Sequence, residues 1–222
     1  MKKTDEPVLP KAVLFDLDGT LVDSAPDLAA AINKVRADRQ LPLTPYEQLR
    51  PVASAGAQGL IRAAFGIGTE HEDYPDLVEA FLHNYASAIA VRTTLFDGIP
   101  ELLDFLRSKN IPWGVVTNKR HYLTVPLLLE IGLHDAACVI SGDTTAHPKP
   151  HPEPIREAAR RIGVEPHECW YIGDDVRDVL SGNSAGSITI AVTWGYGEDV
   201  RSWEADLVVD TPWQIRDMLE KL

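Results

Sequence analysis

Two cysteines in 222 residues, Cys138 and Cys169, are too few for a disulfide framework, and both sit in apolar runs. A reducing compartment is therefore expected. Long apolar stretches are missing as well: none approaches the ~18 residues of a membrane span. Met1-Lys2-Lys3 could open a leader, but Thr4-Asp5-Glu6-Pro7 follows in place of an apolar stretch of about 7–15 residues. The expected location is the cytoplasm. Basic residues are in the minority, 21 Lys+Arg against 33 Asp+Glu, for a formal charge of −12. That balance speaks against nucleic acid and anionic lipid, whose phosphates select basic surfaces. Glycine-rich phosphate loops are lacking too, since neither Gly-x-x-x-x-Gly-Lys-[Ser/Thr] nor Gly-x-Gly-x-x-Gly occurs.

What remains is ordinary globular material, 45% hydrophobic and 24% charged. The length exceeds a usual domain of about 100–150 residues yet falls short of two. Residues 8–17 (broken by Pro10 and Lys11), 113–117, 170–172 and 188–193 form short apolar runs, with 138–140 and 207–209 weaker. Such runs read as strands buried on both faces. Helical spacing separates them at 99–109, 121–131, 153–162, 176–185 and 212–222. The alternation predicts an α/β fold with a mainly parallel sheet. One interval breaks it. Between the first strand and Trp113 lie roughly ninety residues of helical periodicity, at 27–39, 45–52, 57–65 and 76–90. One crossover needs one helix, so an inserted helical unit is expected at 24–92. The remainder, 1–23 and 93–222, forms a discontinuous core.

Carboxylates at strand ends are the clearest anomaly. Asp16 interrupts an apolar strand, and Asp18-Gly19-Thr20 follows. Period-two geometry sets Asp16 and Asp18 on one side of an extended segment, where they repel unless a cation intervenes. Alone, Asp18-Gly19 reads equally well as a turn. Val115-Val116-Thr117-Asn118 ends a second strand in a hydroxyl and an amide, which alone reads as a strand end before a helix cap. Lys149 lies in the stiff segment His147-Pro148-Lys149-Pro150-His151-Pro152. The prolines forbid the helix that would pair His147 with His151, so a zinc site is not expected there. Tyr171-Ile172-Gly173-Asp174-Asp175 again ends a strand in carboxylates, with Asp175 and Asp178 suited to a helix start. Ligands in open parallel sheets bind beyond the strands' carboxyl ends, and several such ends here converge on one crevice.

Together, Phe-Asp16-Leu-Asp18-Gly-Thr20-Leu, Val-Thr117-Asn-Lys, Lys149-Pro and Gly-Asp174-Asp175-x-x-Asp178 resemble the four-motif signature of the haloacid dehalogenase-like phosphohydrolases. The helical insertion falls where subclass I members carry a cap. Within the family the chain is similar to phosphoglycolate phosphatases and to an N-acetylmuramic acid 6-phosphate phosphatase branch. Leu95-Phe-Asp-Gly-Ile-Pro-Glu-Leu-Leu and Ala205-Asp-Leu-Val-Val-Asp210 strengthen that likeness.

The resemblance implies a Rossmann-like core with helices on both faces, an α-helical cap, and a Mg²⁺-dependent phosphatase. Asp16 would be the nucleophile that forms an aspartyl-phosphate, and Asp18 the acid and base. Asp16, the backbone carbonyl of Asp18, and Asp174 would hold the Mg²⁺. Thr117, Asn118 and Lys149 would bind phosphoryl oxygens, with Thr20, Asp175 and Asp178 in support. Relatives usually carry serine or threonine where this chain has Asp175, so Asp174 and Asp175 compete for the metal, with Asp174 favoured. Asp18 sets the chain apart from the phosphonatase branch, and Thr20 from the hexose-phosphate mutases. The expected partner is a small phosphorylated metabolite, 2-phosphoglycolate first and N-acetylmuramic acid 6-phosphate second. A phospho-accepting receiver module is a distant alternative, since it needs neither a cap nor Asp18. Ser54 and Gly56 are expected to face the substrate from the cap, with hinges at 23–26 and 90–94. The sequence does not choose between monomer and homodimer.

Overall fold

The computed structural model describes residues 9–222. The leader test on 1–7 and the start of the first run at Val8 lie outside the described residues. In chain order the strands are β1 (Ala12–Phe15), β2 (Val22–Asp23), β3 (Thr94–Leu95), β4 (Trp113–Val116), β5 (Cys138–Ile140), β6 (Cys169–Gly173), β7 (Ile188–Val192) and β8 (Leu207–Val209). The helices are α1 (Ala25–Asp38), α2 (Tyr46–Leu49), α3 (Gly56–Phe65), α4 (Tyr74–Ser87), α5 (Ile99–Ser108), α6 (His121–Glu130), α7 (Glu153–Ile162), α8 (Val176–Ala185) and α9 (Pro212–Glu220).

Six strands make one parallel sheet in the order β5-β4-β1-β6-β7-β8. Both faces are covered, which is why β1 reads as a continuous apolar run. Val13 and Phe15 pack with Leu102, Leu106, Leu127 and Ile215 of α5, α6 and α9. Ala12 and Leu14, on the alternate face, pack with Ile155 and Ala158 of α7. From β1 the chain moves outward to β4 and β5, then returns across β1 to β6. The ends of β1, β4 and β6 therefore flank a topological switch point, the crevice where such sheets bind ligands. No helix of the described residues is long and apolar enough to cross a membrane.

The inserted cap has its own apolar cluster. Leu28, Ile32, Leu60, Ile61, Leu77 and Phe81 from α1, α3 and α4 are buried together. The helix expected at 45–52 is split: α2 ends at Leu49 and a 3₁₀ turn runs over Arg50–Ala55. Pro51, which has no N–H to continue the ladder, explains the break. The antiparallel ribbon β2–β3 was not anticipated. It sets Asp23 opposite Thr94, so the two crossings between core and cap run side by side. Asp27 clamps them, accepting from the Arg92 and Thr93 backbone N–H groups and from Thr93 Oγ1 at 2.8–3.1 Å.

Candidate active site

Sheet geometry brings the anomalous residues together. Strand β1 ends at Phe15, which is level with Val115 of β4 and Ile172 of β6. Asp16 is the next residue, and its N–H donates to the Ile172 carbonyl at 2.9 Å. Thr117 follows β4, and Asp174 follows β6. Asp16, Asp18, Thr117, Asn118, Lys149, Asp175 and Asp178 all line one cavity of about 450 Å³. Asp16 and Asp18 share it by a route other than the extended one expected. The chain turns at Leu17, whose carbonyl accepts from the N–H groups of Thr20, Leu21 and Val22.

Asp16, Asp174 and Asp178 are buried, with one carboxylate oxygen of each within 4.8 Å of the others. Close packing needs glycine at several positions, two of them in the strand-end turns. Gly19 has φ +90°, and a Cβ there would lie 2.1 Å from Asp174 Oδ2. A Cβ on Gly173 would lie 2.3 Å from the Asp178 carboxylate. Asp174 accepts from Thr20 Oγ1 and from the Tyr196 N–H, both at 2.9 Å, and lies 3.3 Å from Ser54 Oγ of the cap.

One cation contacts two of the three carboxylates. Lys149 Nζ donates to Asp178 Oδ1 at 2.6 Å and sits 2.8 Å from Asp16 Oδ1. The second contact is an ion pair without hydrogen-bond alignment, so Asp16 Oδ1 is a buried oxygen with no hydrogen-bond partner. Asn118 fixes this loop reciprocally: its amide donates to the Lys149 carbonyl and accepts the Lys149 N–H, each at 3.0 Å. Burial pushes Asp16 up to about 7, against the pull of Lys149. Burial, with the charges of Asp16 and Asp178, holds Asp174 well above the usual carboxylate range. Lys149 is held above the usual lysine value because Asp16 and Asp178 outweigh its burial. Three buried carboxylates against one ammonium suit a divalent cation with oxygen ligands.

The rival for the metal, Asp175, is occupied elsewhere. It caps α8 and pairs with Arg177 at 2.7 Å, which holds its carboxyl below the usual range despite burial. Arg177 in turn donates to the Ser54 carbonyl at 2.7 Å. Ser54 and Gly56 line the cavity from the cap. Asp18 stands outside the buried cluster, held by both oxygens to Lys119 Nζ at 2.8 and 2.9 Å and by Ser24 Oγ.

Lys119 and Tyr196 escaped a role in the sequence reading. Lys119 follows Thr117-Asn118 directly and is buried against Asp18 and the Tyr85 ring, which lies 4.7 Å away. Its position in that motif was the available signal. Tyr196, whose N–H meets Asp174 and whose hydroxyl donates to Asp23 at 2.9 Å, had none. The histidines differ from expectation in geometry. Their rings approach to 4.6 Å although no helix joins them. Among the described residues, however, the three-carboxylate cluster is the sole group of three or more suited to a metal.

Comparison with known proteins agrees with this geometry. Residues 10–186 match the family of haloacid dehalogenase-like hydrolases. A phosphoglycolate phosphatase of Xanthomonas campestris pv. campestris is 43% identical over 93% of this chain and 95% of its own. An N-acetylmuramic acid 6-phosphate phosphatase of Pseudomonas aeruginosa is 39% identical over 95% of each chain. The crystal structure of a predicted phosphoglycolate phosphatase from Haemophilus somnus superposes with a TM-score of 0.83 at 26% identity, covering 95% of this chain and 98% of that one. With the cluster at the switch point and these matches across nearly the whole length, the chain belongs to the haloacid dehalogenase-like hydrolases.

Proposed function

We propose that the protein is a Mg²⁺-dependent phosphatase that hydrolyses a small phosphomonoester through an aspartyl-phosphate on Asp16. The observation that carries this reading is the packing of Asp16, Asp174 and Asp178 within 4.8 Å, beside Lys149, with Asp16, Asp178 and Lys149 lining a cavity and Asp174 buried behind them. Asp16, the Asp18 carbonyl and Asp174 would hold the ion, which screens the phosphate's charge from the carboxylates when bound. Asp16 attacks phosphorus, and the alcohol leaves with a proton from Asp18. Asp18 then takes a proton from the water that attacks the phosphoenzyme. Lys119 and Ser24 orient Asp18 for both transfers. Thr117, Asn118 and Lys149 bind phosphoryl oxygens, and Thr20 and Asp178 steady Asp174 and Lys149.

Residues 24–92 act as a cap that opens and closes over a core of 1–23 and 93–222. The side-by-side crossings at the β2–β3 ribbon support a hinge there. A cytoplasmic location fits two buried, unpaired cysteines. The substrate is a phosphorylated metabolite, with 2-phosphoglycolate supported by the relative at 43% identity. A second candidate, N-acetylmuramic acid 6-phosphate, is supported by the relative at 39% and by a cavity of about 450 Å³, roomy for a two-carbon acid. Phosphate release should require Mg²⁺ and vanish in Asp16→Asn; substantial activity in that variant would contradict the reading. A lasting phosphoenzyme without turnover would instead mark a phospho-accepting switch.

A further inference from the structure

Four cations line the cavity, and three are committed. Lys149 serves Asp16 and Asp178, Lys119 serves Asp18, and Arg177 serves Asp175 and the Ser54 carbonyl. Arg120 is different. It is exposed, and among the described residues its guanidinium has no hydrogen bond or ion pair. Its backbone, by contrast, is fixed at the start of α6. The Arg120 carbonyl accepts from the Leu123 and Thr124 N–H groups at 3.0 and 2.9 Å and from Thr124 Oγ1 at 3.0 Å. An anchored arginine with a free fork at a cavity mouth suits a carboxylate or phosphate of the ligand.

The walls around Arg120 point the same way. Arg120 also lines a second cavity, of about 640 Å³, and Tyr74, Val78 and Leu82 of α4 border both. The site thus continues past Arg120 along Tyr74, Val78 and Leu82 of the cap, into a cavity that Glu79 and His83 also line. A glycolate ester offers one methylene to that surface and leaves most of it wet.

The geometry points to a substrate with three parts: a phosphate ester, a partly apolar body, and a second anionic group. The ester sits over Asp16, the body lies along Tyr74, Val78 and Leu82, and Arg120 holds the anion. Arg120 is therefore a specificity-determining residue. This inference rests on the phosphatase reading above and narrows its substrate to acidic, bulky phosphomonoesters.

A matched pair of esters tests it. N-acetylglucosamine 6-phosphate and N-acetylmuramic acid 6-phosphate share a ring and a leaving hydroxyl, and differ by a lactyl group that brings the carboxylate. kcat/KM is measured for both, and for 2-phosphoglycolate, in the wild type, Arg120→Gln and Arg120→Lys with Mg²⁺ present. The wild type should prefer the acid of the pair by about tenfold or more, the worth of one charge-assisted contact. Arg120→Gln should collapse that ratio, mainly through KM, and Arg120→Lys should keep part of it. 2-Phosphoglycolate, with a carboxylate but no body, should be the poorer substrate. An unchanged ratio in Arg120→Gln, or a preference for 2-phosphoglycolate over both sugar esters, overturns the inference and leaves the phosphatase reading standing. No phosphate from any ester overturns the phosphatase reading, and the inference with it.

Discussion

The two walls of the cavity are built on opposite plans. The floor comes from the ends of β1, β4 and β6, and is buried, charged and crowded. Asp16 and Asp178 share Lys149, Asp174 crowds against them while held by Thr20 and Tyr196, and glycine is required where the chain passes the carboxylates. The facing wall comes from α4 and the 3₁₀ turn of the cap, with Tyr74, Val78, Phe81 and Leu82 supplying apolar surface. The floor can carry chemistry but has little freedom to vary, because each change alters the charge balance of a buried cluster. The wall is apolar and also packs on the cap's own cluster, in which Phe81 is buried.

Substitutions in the floor should have the largest effects. Asp16→Asn should lower kcat by at least about 10⁴-fold, measured as phosphate release at saturating substrate. The same variant should melt higher than the wild type without metal at pH 8, because it removes one ionised member of the crowded cluster. Next, Lys149→Met should cost about 10³-fold in activity and about 3–5 kcal/mol in urea unfolding at neutral pH, leaving three carboxylates without their cation. Equal stability to the wild type would break the comparison at its base.

Metal and pH should separate the walls further. The folded-state value of Asp16, about 7, lies above its ordinary 3.8, so its protonated form favours the metal-free fold. That contribution is complete below about 3.8 and is lost as pH rises through about 7. Below 7 a cation must displace the proton, so the melting shift produced by Mg²⁺ should grow between pH 5 and pH 8. A shift that shrinks over that range would contradict the cluster as the metal site. In the cap, Leu82→Ala should raise KM for a bulky ester about tenfold while leaving the Mg²⁺-induced shift as in the wild type. The smallest effect belongs to the contact between walls. Arg177→Ala frees the Ser54 carbonyl and should move kcat and KM together, by about two- to fivefold.

The same contrast governed what the sequence disclosed. Asp16, Thr117 and Asp174 stood out because polar groups end otherwise continuous apolar runs, and Lys149 because prolines stiffen its loop; the parallel sheet then fixes where they meet. The cap's existence was legible from helical periodicity, since one crossover does not need four helices. Its substrate-facing side was not. Val78, Phe81 and Leu82 are apolar residues on an apolar helix, and nothing in their spacing distinguishes those facing the cavity from those facing Leu28 and Ile32. Tyr196 was hidden for another reason: it reaches Asp174 through its backbone N–H, which any residue carries. Asp175 looked like a rival ligand until Arg177, two residues on, proved to be its partner.

The central claim is that the floor, and Asp16 within it, forms and breaks the phosphoenzyme. Acid quench of a single turnover with a labelled phosphomonoester and Mg²⁺, followed by peptide mass spectrometry, tests it most directly. The account predicts a transient phosphoryl adduct on Asp16 that appears and decays at the rate of phosphate release and is missing in Asp16→Asn. An adduct on any other residue, or full turnover with no adduct at the earliest times, would contradict it.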